Sequence, residues 1–378
     1  MVFHFPPISG GGVVVIVELA NILAELGHDV TILTPDLKWT GPEYNPIINS
    51  AINVIKVETP SRSNLKIASR RCFSNMKEKG IQLGREKQFE FILTIFHPFH
   101  LVPKAAVACG KELGIPVIVK IDDAVYQKAT GVKLIQRKIE QIYNAKTLQN
   151  STRVLVANQN TQDLVNSFYN VPMDKMSIIS NGVDLSRYHS DNMHSKKIIF
   201  SGAMYAHRGI DMLLNAVPNI IKQVPDTKVI LLGSGSEFES LKEISQQKNI
   251  SENVDFKGWI NREEIHEYLS QAQIGIGPLR LTDVTNNALP IKVLEYMASS
   301  LPLIAMKNTL PSDVLVDGKN GYFIENEDEL ASKIIFLLKN SETCTEMGQK
   351  SKDMVSKFDW PHVAEAIVKE YENATPNS

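Results

Sequence analysis

The chain has 378 residues, 43% hydrophobic and 22% charged, which is soluble-protein composition and more length than one hydrophobic core normally organises, so two domains are expected. The net charge of -2 hides an asymmetry: residues 1–190 carry 21 Lys/Arg against 16 Asp/Glu, and the remainder 19 against 26. A basic first half suits an anionic partner, such as a membrane surface or a phosphorylated substrate, as readily as it reflects scatter between two domains. Cys72, Cys109 and Cys344 lie far apart, which argues against a zinc cluster or disulfide framework and fits a reducing compartment. The most apolar run, GGGVVVIVELANILAEL, is broken by Glu18, Asn21 and Glu25, so it reads as neither a membrane span nor a signal peptide. The expected location is cytoplasmic, compatible with peripheral attachment at the inner face of the cell membrane.

In chain order, short β-branched runs alternate with amphipathic helices, the pattern of parallel α/β sheets. VFHF, DVTILTP, INVIKVE, FEFILTIF, PVIVKID and RVLVANQ read as strands, with helices over 13–26, 104–113 and 127–149. After SIISNGVDLSRYHSD the alternation restarts: strand KKIIFSG, helix 211–223, strand KVILLGSG, helix 237–247, strand NVDFKGW, helix 262–272 and strand IGIGPL. TNNALPIKVLEYMASSLPLIAM then supplies a loop, a short helix and a buried strand. The tail FDWPHVAEAIVKEYENA is an amphipathic helix with no strand after it. Two successive α/β series predict two Rossmann-like domains facing an interdomain cleft. Ligands of open parallel sheets gather at the carboxyl ends of the strands, so strand-to-helix loops carry most weight.

Four such loops could hold phosphate. Gly10, Gly11 and Gly12 precede the first helix, where close backbone approach and a helix N-terminus favour an anion, although a tight turn explains them equally. The run is not GxGxxG, which disfavours a dinucleotide dehydrogenase. Gly202, Tyr205, His207, Arg208 and Gly209 form the second loop; Arg208 ahead of a helix start can clamp a phosphate, or be a solvated cation. Gly233 and Gly235 form the third. In the fourth, taking Pro290 as the helix start, the amides of Asn287, Ala288 and Leu289 would point at a ligand. Lys292 and Glu295 stand i,i+3 on that helix, so a local ion pair explains the lone acid cheaply. Alternatively the carboxylate accepts two ribose hydroxyls.

These loops, in this order, resemble the GT-B nucleotide-sugar glycosyltransferases of the large retaining family 4. The resemblance spans nearly the whole chain. It includes Gly10–Gly12 with the helix through Gly27-His28-Asp29-Val30, and Ile179-Ser180-Asn181-Gly182-Val183-Asp184 before the linker. It continues through Gly202 to Asp211, Gly233-Ser234-Gly235, Val254–Gly258, Glu295-Tyr296-Met297-Ala298 with Leu301-Pro302, and Asp317-Gly318 with Asn320-Gly321. It implies an acceptor domain over 1–188, a donor domain over 189–357, and a helix over 358–378 crossing back to the first domain. The implied activity is transfer of a sugar from a nucleoside diphosphate sugar to an acceptor hydroxyl with retention, in glycan, polysaccharide or glycolipid synthesis. The rivals are a degenerate nucleotide- or glycan-binding protein and a nucleotide-sugar epimerase.

By the same resemblance, Gly11, Gly12, Gly202, Arg208, Gly233, Trp259, Ile260, Asn287, Ala288, Leu289, Lys292 and Glu295 are expected to bind donor. Arg208 stands for the family's phosphate-clamping lysine and Glu295 for its ribose-binding carboxylate. Gly10, His97, His100, Asp122 and Asp123 are assigned to the acceptor side, and Asp122, Arg208 and Glu295 to catalysis. Three departures stand out. Asn287 replaces the first acid of the family's pair, Ala203 replaces an arginine, and Asp122 stands where many members have histidine. Lys292 or Arg280 is expected to supply the missing phosphate cation. The reaction implied needs no metal or other cofactor, and no nucleic acid partner is implied. Contact with an anionic membrane is suggested by Arg62, Lys66, Arg70, Arg71, Lys77 and Lys79, and by Lys133, Arg137, Lys138 and Lys146 on a candidate helix.

Overall fold

A computed structural model of the chain describes residues 1–41, 43–59, 64–122, 132–190, 195–282 and 285–374; Asp123 and Arg62 lie outside the described residues, and so do the side chains of Lys66 and Lys133. The chain forms two compact units, Met1–Gly182 with Trp360–Ser378, and Val183–Asp359. The chain changes unit at 182/183 and not after 188. Val183 N donates to Phe358 O at 2.8 Å, and Val183 and Tyr188 are buried in the second unit's core.

The first unit runs α1 Gly11–Glu25, β1 Thr31–Pro35, β2 Asn53–Val57, α2 Leu65–Arg71, α3 Phe73–Glu86, β3 Ile92–Ile95, α4 Val102–Leu113, β4 Val117–Ile121, α5 Val132–Asn150, β5 Arg153–Val156, α6 Gln159–Tyr169 and β6 Met176–Ile178. Its strands pair in parallel as β1-β2 and β3-β4-β5-β6. The run expected as a first strand does not complete a ladder, yet it bridges the two sheets: Val2 N donates to Leu33 O at 3.0 Å and Met1 N to Leu93 O at 2.6 Å.

The second unit contains β7 Lys197–Ser201, α7 Ile210–Gln223, β8 Lys228–Leu232, α8 Phe238–Gln247, β9 Val254–Gly258, α9 Arg262–Ser270, β10 Ile274–Ile276, α10 Ile291–Ala298, β11 Leu303–Met306, β12 Gly321–Ile324, α11 Glu327–Lys339 and α12 Ser341–Val355. Its six strands form one parallel sheet in the order β12-β11-β10-β7-β8-β9. Alternate strand residues feed two cores: Ile198 and Phe200 enter one, Ile199 the other, as period-two side-chain alternation dictates when helices cover both faces.

Helix α13, Trp360–Ala374, belongs to the first unit. Arg153 grips Glu370 at 2.7 Å, and Tyr371 stacks on Phe91 with ring centres 5.0 Å apart. A Cβ at Gly182 would meet the Trp360 ring at 2.4 Å. The glycine of the NGVD motif is therefore required by close packing against this helix.

Candidate active site

The second unit's strands end in interlocked loops. Gly202 N donates to Leu232 O at 2.9 Å, Met204 N to Ser234 O at 3.0 Å, and Gly233 N to Gly258 O at 2.6 Å. A Cβ at Gly233 would lie 2.1 Å from Gly202 O, and one at Gly235 2.4 Å from Met204 O. Backbone approach of that kind admits only glycine, so packing alone accounts for both residues. Gly209, at φ 73, backs onto Leu279 and Arg280. Trp259 is 41% exposed beyond β9 and Ile260 is half-buried.

Arg280 is not a spare phosphate cation: it pairs with Asp211 at 2.6 Å and donates to Ala206 O at 2.5 Å. It pins the Arg208 loop instead.

Helix α10 begins one residue later than expected. Pro290 is its N-cap, with φ -65 and ψ 139, and the helix starts at Ile291. Asn287 N is committed to Asn308 O at 2.8 Å, and Ala288 N reaches Thr285 O at 3.5 Å. The three amides expected to face a ligand are therefore not a free cluster. Asn287 takes φ 47, a left-handed conformation that asparagine tolerates better than most residues.

The lone acid of this helix is not paired with its neighbour. Glu295 is buried and bound by Arg262 Nη1 at 2.5 Å. Tyr188 lies beside Glu295, and burial first, then that carboxylate, hold its phenol well above its ordinary pKa. A carboxylate has about four acceptor positions, so the bond from Arg262 leaves capacity for a hydroxyl.

Lys292 is the unusual group. It is 7% exposed, its Nζ has no hydrogen-bond partner, and it sits 3.4 Å from the centre of the Phe200 ring. A Cβ at Gly202 would lie 3.9 Å from that nitrogen, so the ammonium is aimed at the loop where β7 ends. Burial first and the charge of Arg208 second press its pKa well below the usual lysine value. Tyr296, one turn on, accepts from Ser201 N at 2.6 Å and locks α10 against the same strand end.

In the first unit, Gly10, Gly11 and Gly12 are exposed, and a Cβ at Gly10 or Gly12 would meet nothing within 4 Å. At Gly10, φ 154 favours glycine; no packing requires it at Gly12. His97 stacks on His100 at 4.3 Å, and His4 meets His100 edge-on at 4.9 Å. Burial first and mutual repulsion second push His4 down to about 4 and His100 to about 2; burial lowers His97 as well. All three are neutral near pH 7.

Asp122 follows β4 and is held by Lys120 Nζ, a fully buried lysine that also donates to Asn181 Oδ1 at 2.7 Å. A lysine amid PVIVKI is a signal visible in the sequence alone, whereas no local pattern marks His4, Tyr188 or Arg262. Among the described residues no three His, Cys, Asp or Glu side chains converge as a metal-binding set.

Two units of parallel sheet, the second with glycine loops at its strand ends and an acid-bearing α10, have the architecture of the GT-B fold. Residues 9–187 match the model of Glycosyltransferase Family 4, and residues 185–354 that of Glycosyl transferases group 1. The chain belongs to this family. It is 22% identical to an uncharacterised glycosyltransferase of Methanocaldococcus jannaschii, covering 98% of this chain and 97% of that protein. It is also 22% identical to the alpha-monoglucosyldiacylglycerol synthase of Acholeplasma laidlawii, over 89% of this chain and 86% of that enzyme. Among solved structures, Anabaena HepE in complex with UDP superposes with a TM-score of 0.73 at 13% identity, covering 98% and 99% of the two chains.

Proposed function

We propose that the protein transfers a hexose-type unit from a nucleoside diphosphate sugar to a hydroxyl of a glycan or lipid-linked acceptor, with retention at the anomeric carbon. The observation that carries this reading is Lys292: a buried ammonium without a hydrogen-bond partner, its pKa depressed by burial first and Arg208 second, aimed at the Gly202 loop. Burying such a group costs several kcal/mol unless something charged completes it. A diphosphate there would satisfy Lys292 and relieve its repulsion by Arg208.

In the reaction the acceptor oxygen bonds the anomeric carbon as the bond to the diphosphate oxygen breaks. The electron pair stays on the diphosphate, whose departing oxygen takes up the acceptor hydroxyl's proton, and the growing charge is met by Arg208 and Lys292. Glu295, oriented by Arg262 and Tyr188, would take a ribose hydroxyl, and Trp259 with Ile260 would border the base. In the first unit, Gly10–Gly12, the His97–His100 stack and Asp122 are assigned to the acceptor side. No metal is needed in this scheme; loss of transfer in EDTA, restored by Mg2+ or Mn2+, would sink that part. A lipid acceptor is consistent with the diacylglycerol named in the Acholeplasma relative.

The test is a thermal-shift panel of UDP-, GDP- and ADP-sugars followed by donor turnover assays. At least one donor should raise Tm through binding linkage and be consumed. Arg208→Ala and Lys292→Met should abolish both effects while remaining folded. A folded wild type that neither binds nor consumes any donor overturns the proposal.

A further inference from the structure

Helix α5 buries Leu148 and packs Ala145 on the first unit's core, and the rest of its described inward side is bonded polar groups: Asn144 Nδ2 donates to Pro98 O at 3.1 Å, Gln141 Nε2 to Phe168 O at 2.6 Å, and Thr147 Oγ1 to Tyr143 O at 3.0 Å. Its outward side carries Ile135, Ile139, Ile142 and Tyr143, exposed by 63%, 51%, 58% and 51%. Positions 135, 139, 142 and 143 follow the spacing of one helical stripe. Lys138 and Lys146 are exposed within the same stripe, and Lys104 of α4 holds its ammonium 4.5 Å from the Tyr143 ring centre. The one acid in α5 is Glu140, off that stripe. Solvated helix faces have the opposite composition, and contiguous exposed apolar patches mark interaction surfaces.

We propose that this face of α5 docks on an anionic lipid bilayer. Isoleucines lying flat at the acyl boundary, with lysines reaching the phosphates beside them, are what an interfacial helix presents. Among its described side chains the stripe pairs apolar surface with cations and carries no acid, which is the charge complement of an anionic surface. Asn144 also ties α5 to the 97–100 turn, whose Phe99 is 50% exposed and whose His97 and His100 are assigned to the acceptor. Docking here would bring those residues to the membrane surface, so the inference rests on the proposed acceptor side and names its source as the bilayer.

The experiment is flotation of the full chain with vesicles of phosphatidylcholine alone or containing about 30 mol% phosphatidylglycerol, at low and high salt. Wild type should float with the anionic vesicles and bind them roughly ten-fold more tightly than neutral ones, losing most of that preference in high salt. The triple change Ile135→Ser, Ile139→Ser, Ile142→Ser and the double change Lys138→Glu, Lys146→Glu should each cut binding roughly ten-fold or more. Thermal shifts with nucleotide sugars should be unchanged in both, so failure of the donor reading and failure of the docking reading are separable. Wild type that ignores anionic vesicles, or variants that float as wild type does, overturns the inference. So does a dimer that the isoleucine changes dissolve while vesicle binding is absent.

Discussion

Each unit buries one conspicuous lysine, and the two are treated in opposite ways. Lys120, at the end of β4, is completed by Asp122 and Asn181. Lys292, on α10, has an aromatic face and a nearby arginine but no hydrogen-bond acceptor. The first is a finished structural link that also fixes where the Asp122 carboxylate stands. The second is a cost the fold carries until an anion arrives. A buried cation with its acceptors tells of architecture; one lacking them tells of a ligand.

Breaking the finished link should have the largest effect on the fold. Lys120→Met strips the partner from Asp122 and leaves Asn181 unsatisfied, so denaturant unfolding should show a loss of about 3 kcal/mol or more. Lys120→Arg should recover part of it.

Lys292→Met should move stability the other way. It removes a desolvated, unpartnered charge, so the variant should unfold about 1–3 kcal/mol later while losing donor binding. For a lysine whose folded pKa is depressed, the unfolded chain binds the extra proton. Wild-type stability should therefore rise with pH in the window below 10.5, and the methionine variant should lack that rise.

The glycine loops sharpen the same contrast by about 1–3 kcal/mol. Gly233→Ala should destabilise the second unit, because its Cβ would strike Gly202 O. Gly12→Ala meets nothing and should leave Tm unchanged or slightly raised. A loss of transfer in that folded variant would place substrate against α1.

The histidine stack gives the smallest effect. His4 and His100 are depressed below 6.5, so the unfolded chain takes up protons first, and their contribution to stability is lost as pH falls from about 6.5. His100→Gln should flatten the decline in unfolding free energy between pH 7 and pH 5 by an amount on the order of 1 kcal/mol.

The alternation of strands and helices, the restart near residue 196 and the glycine loops were legible in the sequence because each is a local pattern. The partners of those residues were not. Arg262 reaches Glu295 across 33 residues, Lys120 reaches Asn181 across 61, and Gly182 makes room for Trp360 of the last helix. Such contacts depend on which loops meet at a sheet edge, which periodicity does not encode. The i,i+3 spacing of Lys292 and Glu295 even pointed to a pair that tertiary structure replaces with Arg262. The amide of Asn287 shows the same limit: Asn308, just past β11, takes it.

The central claim is that Lys292 waits for the donor's phosphate. Calorimetric titration of UDP and GDP into wild type and Lys292→Met near neutral pH tests it most directly. Wild type should bind one nucleotide. The variant should bind it on the order of 100-fold more weakly, as loss of a buried charge-assisted bond implies. A Lys292→Met protein that binds the nucleotide with wild-type affinity would contradict the account.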